Sequence, residues 1–274
     1  ETGRGARRSP FHDRLEARGA CFGATMGWER PMWFAGEAQL ATYTYGWGRT
    51  PWFDSWAQEH RATREAVGLF DMSSFSKFRV EGPDAEAVLQ DLCTCDAAIE
   101  PGQVRYTQWL NANGGIEADL TISRLDWETY LVVTGAAVAG RDFTWLKRHI
   151  GERRAVATDV TSGVSSLGLM GPRSRDLLAT LSGDDVSDNA LPYRGAAEIE
   201  IGYAPVRAVR ISYMGELGYE LYVATEFAQH LFDRIAEAGH QAAVEATYAA
   251  ERAAHKAEFI AQAMAEGQCH GQRP

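Results

Sequence analysis

Apolar and polar residues alternate most sharply between Tyr106 and Arg124, where YTQWLNANGGIEADLTISR reads as two strands and a turn. Tyr106 to Leu110 and Ile116 to Ile122 are rich in aromatic and β-branched residues. Asn113-Gly114-Gly115 between them supplies the positive backbone angles of a tight reversal. By the two-residue period of a strand, Ile116, Ala118, Leu120 and Ile122 share one face and Glu117, Asp119 and Thr121 the other. Such a polar face turns either to water or into a cleft, and the spacing leaves both open.

The same reading extends along the chain. Trp56, Ala62, Ala66, Val67 and Leu69 have helical spacing, with Asp54 or Ser55 as a cap, and predict a helix to about Gly68. A strand over Phe75 to Val80 ends at Glu81-Gly82-Pro83-Asp84, and Pro83 suits the first turn of a helix over Ala85 to Cys93. Thr129 to Thr134 reads as a strand, and Asp142 to Ile150 as a helix with Phe143, Leu146 and Ile150 on one face. Strand, helix, paired strands, helix, strand suggests an α+β domain, an antiparallel sheet backed by helices. From Val156 the pattern recurs: two strands, a break at Gly171-Pro172, and a helix through Leu181. The two Gly-Pro turns stand alike between strand and helix, which hints at two related halves. Arg207 to Tyr213 and Tyr219 to Val223 predict a second hairpin around Met214 to Gly218, followed by an amphipathic helix over Phe227 to Ala238. Residues 1–9 are polar and basic and read as a linker, and residues 240–274 form an Ala-rich, helix-prone tail.

Composition narrows the function. With 274 residues, 45% hydrophobic and 23% charged, the chain can bury one large core or two ordinary ones. Its formal charge of −10 speaks against nonspecific binding to nucleic acid, while leaving room for a local basic patch and an anionic small ligand. Cys21, Cys93, Cys95 and Cys269 form no disulfide framework or zinc spacing; buried thiols fit a reducing compartment, cytoplasmic or a mitochondrial matrix. No apolar run is long enough to span a bilayer and no signal peptide is visible, so no membrane partner is expected. His60 has no second His or Cys at i+4, and no metal is expected. The aromatics Trp28, Trp33 and Phe34 suit a core or seam, with a ligand wall as the alternative.

Four stretches in order carry a family resemblance: Gly27-Trp28-Glu29-Arg30-Pro31, EHRATREAVGLFDMSS, the first hairpin, and RISYMGELGYELYV. Together they resemble the folate-binding aminomethyltransferase family: the glycine-cleavage T-protein and the C-terminal folate halves of dimethylglycine and sarcosine dehydrogenases. The aromatic insertion Tyr43 to Phe53 is similar to the flavin-linked dehydrogenases. The resemblance implies two related α+β lobes around a central cleft, a first folate-binding lobe over 10–150 and a second over 151–239. The acid matching Asp119 then sits beside the tetrahydrofolate nitrogens, and Tyr213 and Glu220 help hold the pterin. The types make chemical sense: a carboxylate accepts two parallel hydrogen bonds from a guanidine-like edge, and a tyrosine offers a flat wall.

The implied reaction is capture of an iminium or formaldehyde-level carbon as 5,10-methylenetetrahydrofolate, with Asp119 orienting the folate and managing a proton. FAD would belong to a flavin-dependent amine dehydrogenase domain or subunit, because no G-x-G-x-x-G follows a strand here. An upstream or separate flavoprotein partner is therefore expected, and the chain is expected to be a fragment lacking the family's C-terminal barrel. An aminomethyltransferase of a glycine-cleavage-type system, or a noncatalytic folate-binding fragment, are the alternative readings.

Overall fold

The computed structural model describes residues 3–36 and 39–241. Almost all of the predicted tail, with Cys269 and His270, lies outside them. In chain order the elements are α1 (His12–Glu16), β1 (Ala20–Thr25), β2 (Trp28–Phe34), α2 (Phe53–Glu65), β3 (Gly68–Asp71), β4 (Ser76–Glu81) and α3 (Ala85–Leu92). There follow β5 (Val104–Leu110), β6 (Ile116–Asp126), β7 (Thr129–Thr134), α4 (Ala139–Ile150), β8 (Val156–Asp159), β9 (Val164–Met170) and α5 (Ser174–Leu181). The last are β10 (Ala196–Ile201), β11 (Ala204–Val209), β12 (Gly218–Ala224) and a helix α6 over residues 228–241. The class is α+β with antiparallel sheets.

One five-stranded sheet has the order β5-β6-β7-β4-β8 and the other β10-β11-β12-β9-β3. Replacing β4 by β9, β5–β7 by β10–β12 and β8 by β3 turns one order into the other. Each sheet borrows its last strand from the sequence of the other: β3 pairs with β9, and β8 pairs with β4. The Gly-Pro turns sit at these exchanges. Gly82 (φ 128) and Gly171 (φ 134) lie so close to the chain entering the borrowed strand that a Cβ would come within 2.3 Å of the Arg154 and Ala66 carbonyl oxygens, respectively. Only glycine fits, on both conformation and space.

The correspondence continues residue by residue. Lys77 N–H donates to Thr161 Oγ1 (3.0 Å), and its counterpart Ser166 N–H donates to Ser73 Oγ (3.2 Å). Asp159 Oδ1 accepts from Thr161 N–H and Asp71 Oδ1 from Ser73 N–H, each at 3.0 Å. A short polar residue two positions after an aspartate is held by that carboxylate in both crossovers.

Each sheet is covered on one face by helices. Phe78, Val80, Leu89, Ile122, Tyr130 and Leu146 fill the core under α3 and α4, and Leu167, Leu178, Leu221, Leu231 and Phe232 the core under α5 and α6. Between the sheets lies a smaller seam of Val104, Leu131, Val209 and Tyr222. Strand β7 is therefore apolar on both faces: Tyr130 and Val132 belong to the helix-backed core, Leu131 and Val133 to the seam. Each fully buried large side chain contributes about 1.5–3 kcal/mol, so the two cores carry most of the stability.

Several expectations need correction. Residues 3–9 do not hang free: Arg4 pairs with Glu29 (2.8 Å), Arg7 bridges to Trp28, and Ser9 Oγ donates to Asp71. Helix α2 starts at Phe53 without a side-chain cap, so neither Asp54 nor Ser55 caps it, and it stops at Glu65 because Gly68 already pairs with Met170. The second hairpin is wider than predicted: β11 ends at Val209 and β12 starts at Gly218, so Tyr213 sits on an eight-residue connection (210–217). A tight hairpin, β10–β11, precedes it and was not anticipated. Trp33 stacks on Trp52 (5.7 Å) in a small core of its own with Cys21, which makes it packing and not a ligand wall. Among the described residues no helix is long and apolar enough to cross a membrane.

Candidate functional site

Asp119, Tyr213 and Glu220 line one cleft of about 460 Å³. Asp119 and Thr121 come from β6 and Tyr106 from β5 of the first sheet; Glu220 comes from β12 of the second, Tyr213 from the connection before it, and Met72 and Phe75 from the crossover between β3 and β4. The sheets meet at the seam, so the cleft's walls belong to segments far apart in sequence.

Alternation on β6 places Asp119 as expected. Ala118, Leu120 and Ile122 are buried in the core, and Asp119 is exposed on the opposite face. Across the ladder it faces Gln108, whose Nε2 donates to Asp119 Oδ1 at 3.3 Å. A second hydrogen bond comes from Tyr106, and that bond, with a little burial and the carboxylate's charge, holds the Tyr106 phenol above its ordinary value. Asp119 is thus oriented by two donors yet open to a ligand.

Glu220 has a different environment. It is only 8% exposed, and Tyr222 OH donates to its Oε2. Burial pushes its carboxyl up, opposed by the Tyr222 hydrogen bond and by the charge of Lys77. Tyr222 is pushed well above the ordinary tyrosine value by its own burial and then by Glu220. Tyr213 is also raised, by desolvation, then by Glu220, against Arg30. With 61% of its surface in solvent, Tyr213 stands as an exposed wall of the cleft that holds the buried Glu220 carboxylate.

Other residues at the cleft escaped sequence reasoning. Arg194 lines the cleft with an unusual backbone (φ 62), its guanidinium over Tyr193 at 5.1 Å, and its carbonyl accepts from Val104 N–H across the two sheets. Nothing in Tyr193-Arg194-Gly195 announced that role except a glycine at the turn. Lys77 is fully buried behind the crossover that lines the cleft, and the strand read over Phe75 to Val80 carried no sign of it. His60 is exposed on α2 and does not line the cleft. Away from the cleft, the described residues bring His12, Asp13 and Glu16 within 4.8 Å of one another on α1; two of the three are exposed.

A model of the GCVT N-terminal domain matches residues 11–258, which takes in both sheets and the cleft. The chain belongs to the GCVT N-terminal domain family. It is 42% identical over 239 residues to the 4-methylaminobutanoate oxidase (formaldehyde-forming) of Paenarthrobacter nicotinovorans, covering 87% of this chain and 29% of that protein. Mitochondrial dimethylglycine dehydrogenase of Rattus norvegicus is 32% identical over 247 residues, 89% of this chain and 29% of that one. This GCVT-type chain therefore spans less than a third of the length of those relatives. Among solved structures, the glycine cleavage system aminomethyltransferase T of Bartonella henselae matches with a TM-score of 0.69 at 28% identity, over 84% of this chain and 56% of that one.

Proposed function

We propose that the chain is a tetrahydrofolate-binding, one-carbon transfer module that works beside a flavin-dependent amine dehydrogenase and captures a carbon at the formaldehyde level. The observation that carries this is the meeting of Glu220, Tyr213 and Asp119 in one cleft, a buried acid deep and an open acid nearer solvent. Kinship with a formaldehyde-forming oxidase supports the carbon's oxidation level.

The residues present suit the group. Glu220, held by Tyr222 on one oxygen, keeps acceptor capacity for the guanidine-like edge of a pterin. Met72, Phe75 and Tyr213 give apolar and aromatic walls, and Arg194 is a cation at the cleft for an anionic tail. When bound, tetrahydrofolate supplies the two nitrogens that carry the carbon as 5,10-methylenetetrahydrofolate. Asp119, oriented by Gln108 and Tyr106, accepts or returns the N10 proton, a role that needs a carboxylate and not an amide.

Calorimetric titration of the full chain with 5-formyltetrahydrofolate tests the reading. Saturable binding is expected, reduced about 100-fold in Glu220→Ala, while Asp119→Asn binds within a few-fold of the parent but loses 10²–10⁴-fold in methylene transfer. Absence of binding by the parent chain, or undiminished binding by Glu220→Ala, would overturn it. The likeness to aminomethyltransferase T favours one alternative, transfer from an aminomethyl group on a carrier; folate-dependent trapping of free formaldehyde argues against it.

A further inference from the structure

Lys77 occupies a position that a serine fills in the other sheet. Its counterpart Ser166 makes the same backbone bonds: Ser166 O accepts from Met72 N–H (3.0 Å) as Lys77 O accepts from Val160 N–H (2.9 Å). The fold therefore has no need of a long cation there, and fully burying an ammonium carries a substantial desolvation cost. Its Nζ donates to Phe75 O (2.8 Å) and Ser73 O (3.1 Å), both in the crossover that forms the cleft wall.

Three acids act on this ammonium: Asp71 at the end of β3, Asp159 at the end of β8, and Glu220 on β12. The first two are occupied locally, each binding the backbone N–H two residues on, and Asp71 also takes Ser9 Oγ and Asp159 Thr161 Oγ1. Glu220 takes only Tyr222 OH from the protein among the hydrogen bonds described, and of the three it alone lines the cleft. Tyr213 and Tyr222 are the other titratable groups facing it.

We propose that Lys77 is a positioning residue for the cleft: its two hydrogen bonds fix the Phe75 wall, and its buried ammonium is the countercharge behind Glu220, the carboxylate that meets a cationic or guanidine-like ligand edge. This rests on the folate reading for the ligand's identity, and for the pairing on the burial of both groups and on the cleft wall that joins them, Lys77 bonding the Phe75 carbonyl and Phe75 lining the cleft with Glu220. Burial lowers Lys77 to about 8 against the pull of the three acids, so the countercharge is present at neutral pH.

The test uses the full chain, which has three lysines, Lys77, Lys147 and Lys256, so lysine-ε ¹³C NMR resolves Lys77 directly. In ligand-free protein, Glu220→Gln should lower the Lys77 midpoint while leaving Lys147 and Lys256 in place. An unmoved Lys77 midpoint would overturn the proposal. Binding of 5-formyltetrahydrofolate, lost as pH falls and Glu220 protonates, should be lost about one pH unit higher in Lys77→Met and at the parent's pH in Lys77→Arg. Identical profiles for Lys77→Met and the parent would also overturn it. If Lys77→Met fails to fold, the Glu220→Gln titration decides alone. A coupled titration in a chain that binds no folate upholds the pair and removes the folate reading instead.

Discussion

The cleft that holds Asp119 has a counterpart. A second cleft, about 360 Å³, lies along the same two strands and is lined by Pro205 and Arg207 of β11, Tyr222 to Ala224 of β12, and Leu131 of β7. Taking Gly82 with Gly171 and following the pairing register, Asp119 corresponds to Pro205, Thr121 to Arg207, and Glu220 to Leu131. One backbone frame is thus used twice with different chemistry. The first cleft has an open acid, a buried acid and a buried cation behind it. In the second, a proline and a leucine replace the acids, Tyr222 partly fills the space, and Arg207 is tied to Glu198 at 2.6 Å. A repeated frame does not make a repeated site; substitutions at the positions of Asp119, Thr121, Glu220 and Lys77 separate them.

The sharpest way to break this comparison is to move the buried acid. Leu131→Glu places a carboxylate in the seam where Ser166 stands in the position of Lys77 and where the lining cations, Arg79 and Arg207, are already paired with Glu81 and Glu198, and should cost about 3–5 kcal/mol in urea unfolding. A cost below about 1 kcal/mol would mean that the buried cation is not what lets the first cleft hold Glu220. Next, Gly82→Ala and Gly171→Ala should each lose more than about 3 kcal/mol, because each forces a Cβ against a carbonyl at a left-handed backbone position. Matching losses sharpen the equivalence of the two strand exchanges; a gap wider than about 1 kcal/mol weakens it.

Glu220→Gln should weaken 5-formyltetrahydrofolate binding by about 2 kcal/mol, whereas Leu131→Met leaves it unchanged, which calorimetry can separate. The smallest effect concerns a prop that only one half has. Arg4 hydrogen bonds draw the buried Glu29 carboxyl down to about 2, from an ordinary 4.5. A depressed folded value stabilises above the unfolded one, so this contribution is complete above about pH 4.5 and is lost as pH falls through about 2. With Arg4 partly exposed, it amounts to about 1–2 kcal/mol. Acid unfolding of Glu29→Gln should lack that component.

Much of this was legible in the chain. The alternation through ADLTI set which face of β6 carries Asp119, and Asn113 to Gly115 set the turn, since both are short-range consequences of strand period and glycine freedom. The two Gly-Pro signals did mark the two equivalent strand-to-helix junctions. Less was legible where partners are distant. Nothing local in GLFD tells that it joins β9 about a hundred residues on, or that Tyr213 stands on a connection and not a strand. The strand over Phe75 to Val80 gives no sign that Lys77 is buried, because local pattern cannot report what packs over it.

The sequence by itself determined most of the elements, the side of β6 that is polar, and the family kinship. Those depend on neighbours within a few positions or on motifs read as strings. Only the tertiary structure decided that Glu220 is buried and Asp119 open, that the borrowed strands close two sheets onto one seam, and that Lys77 lies beneath the cleft. Burial and charge coupling are properties of packed surfaces, set by residues that the chain order keeps far apart.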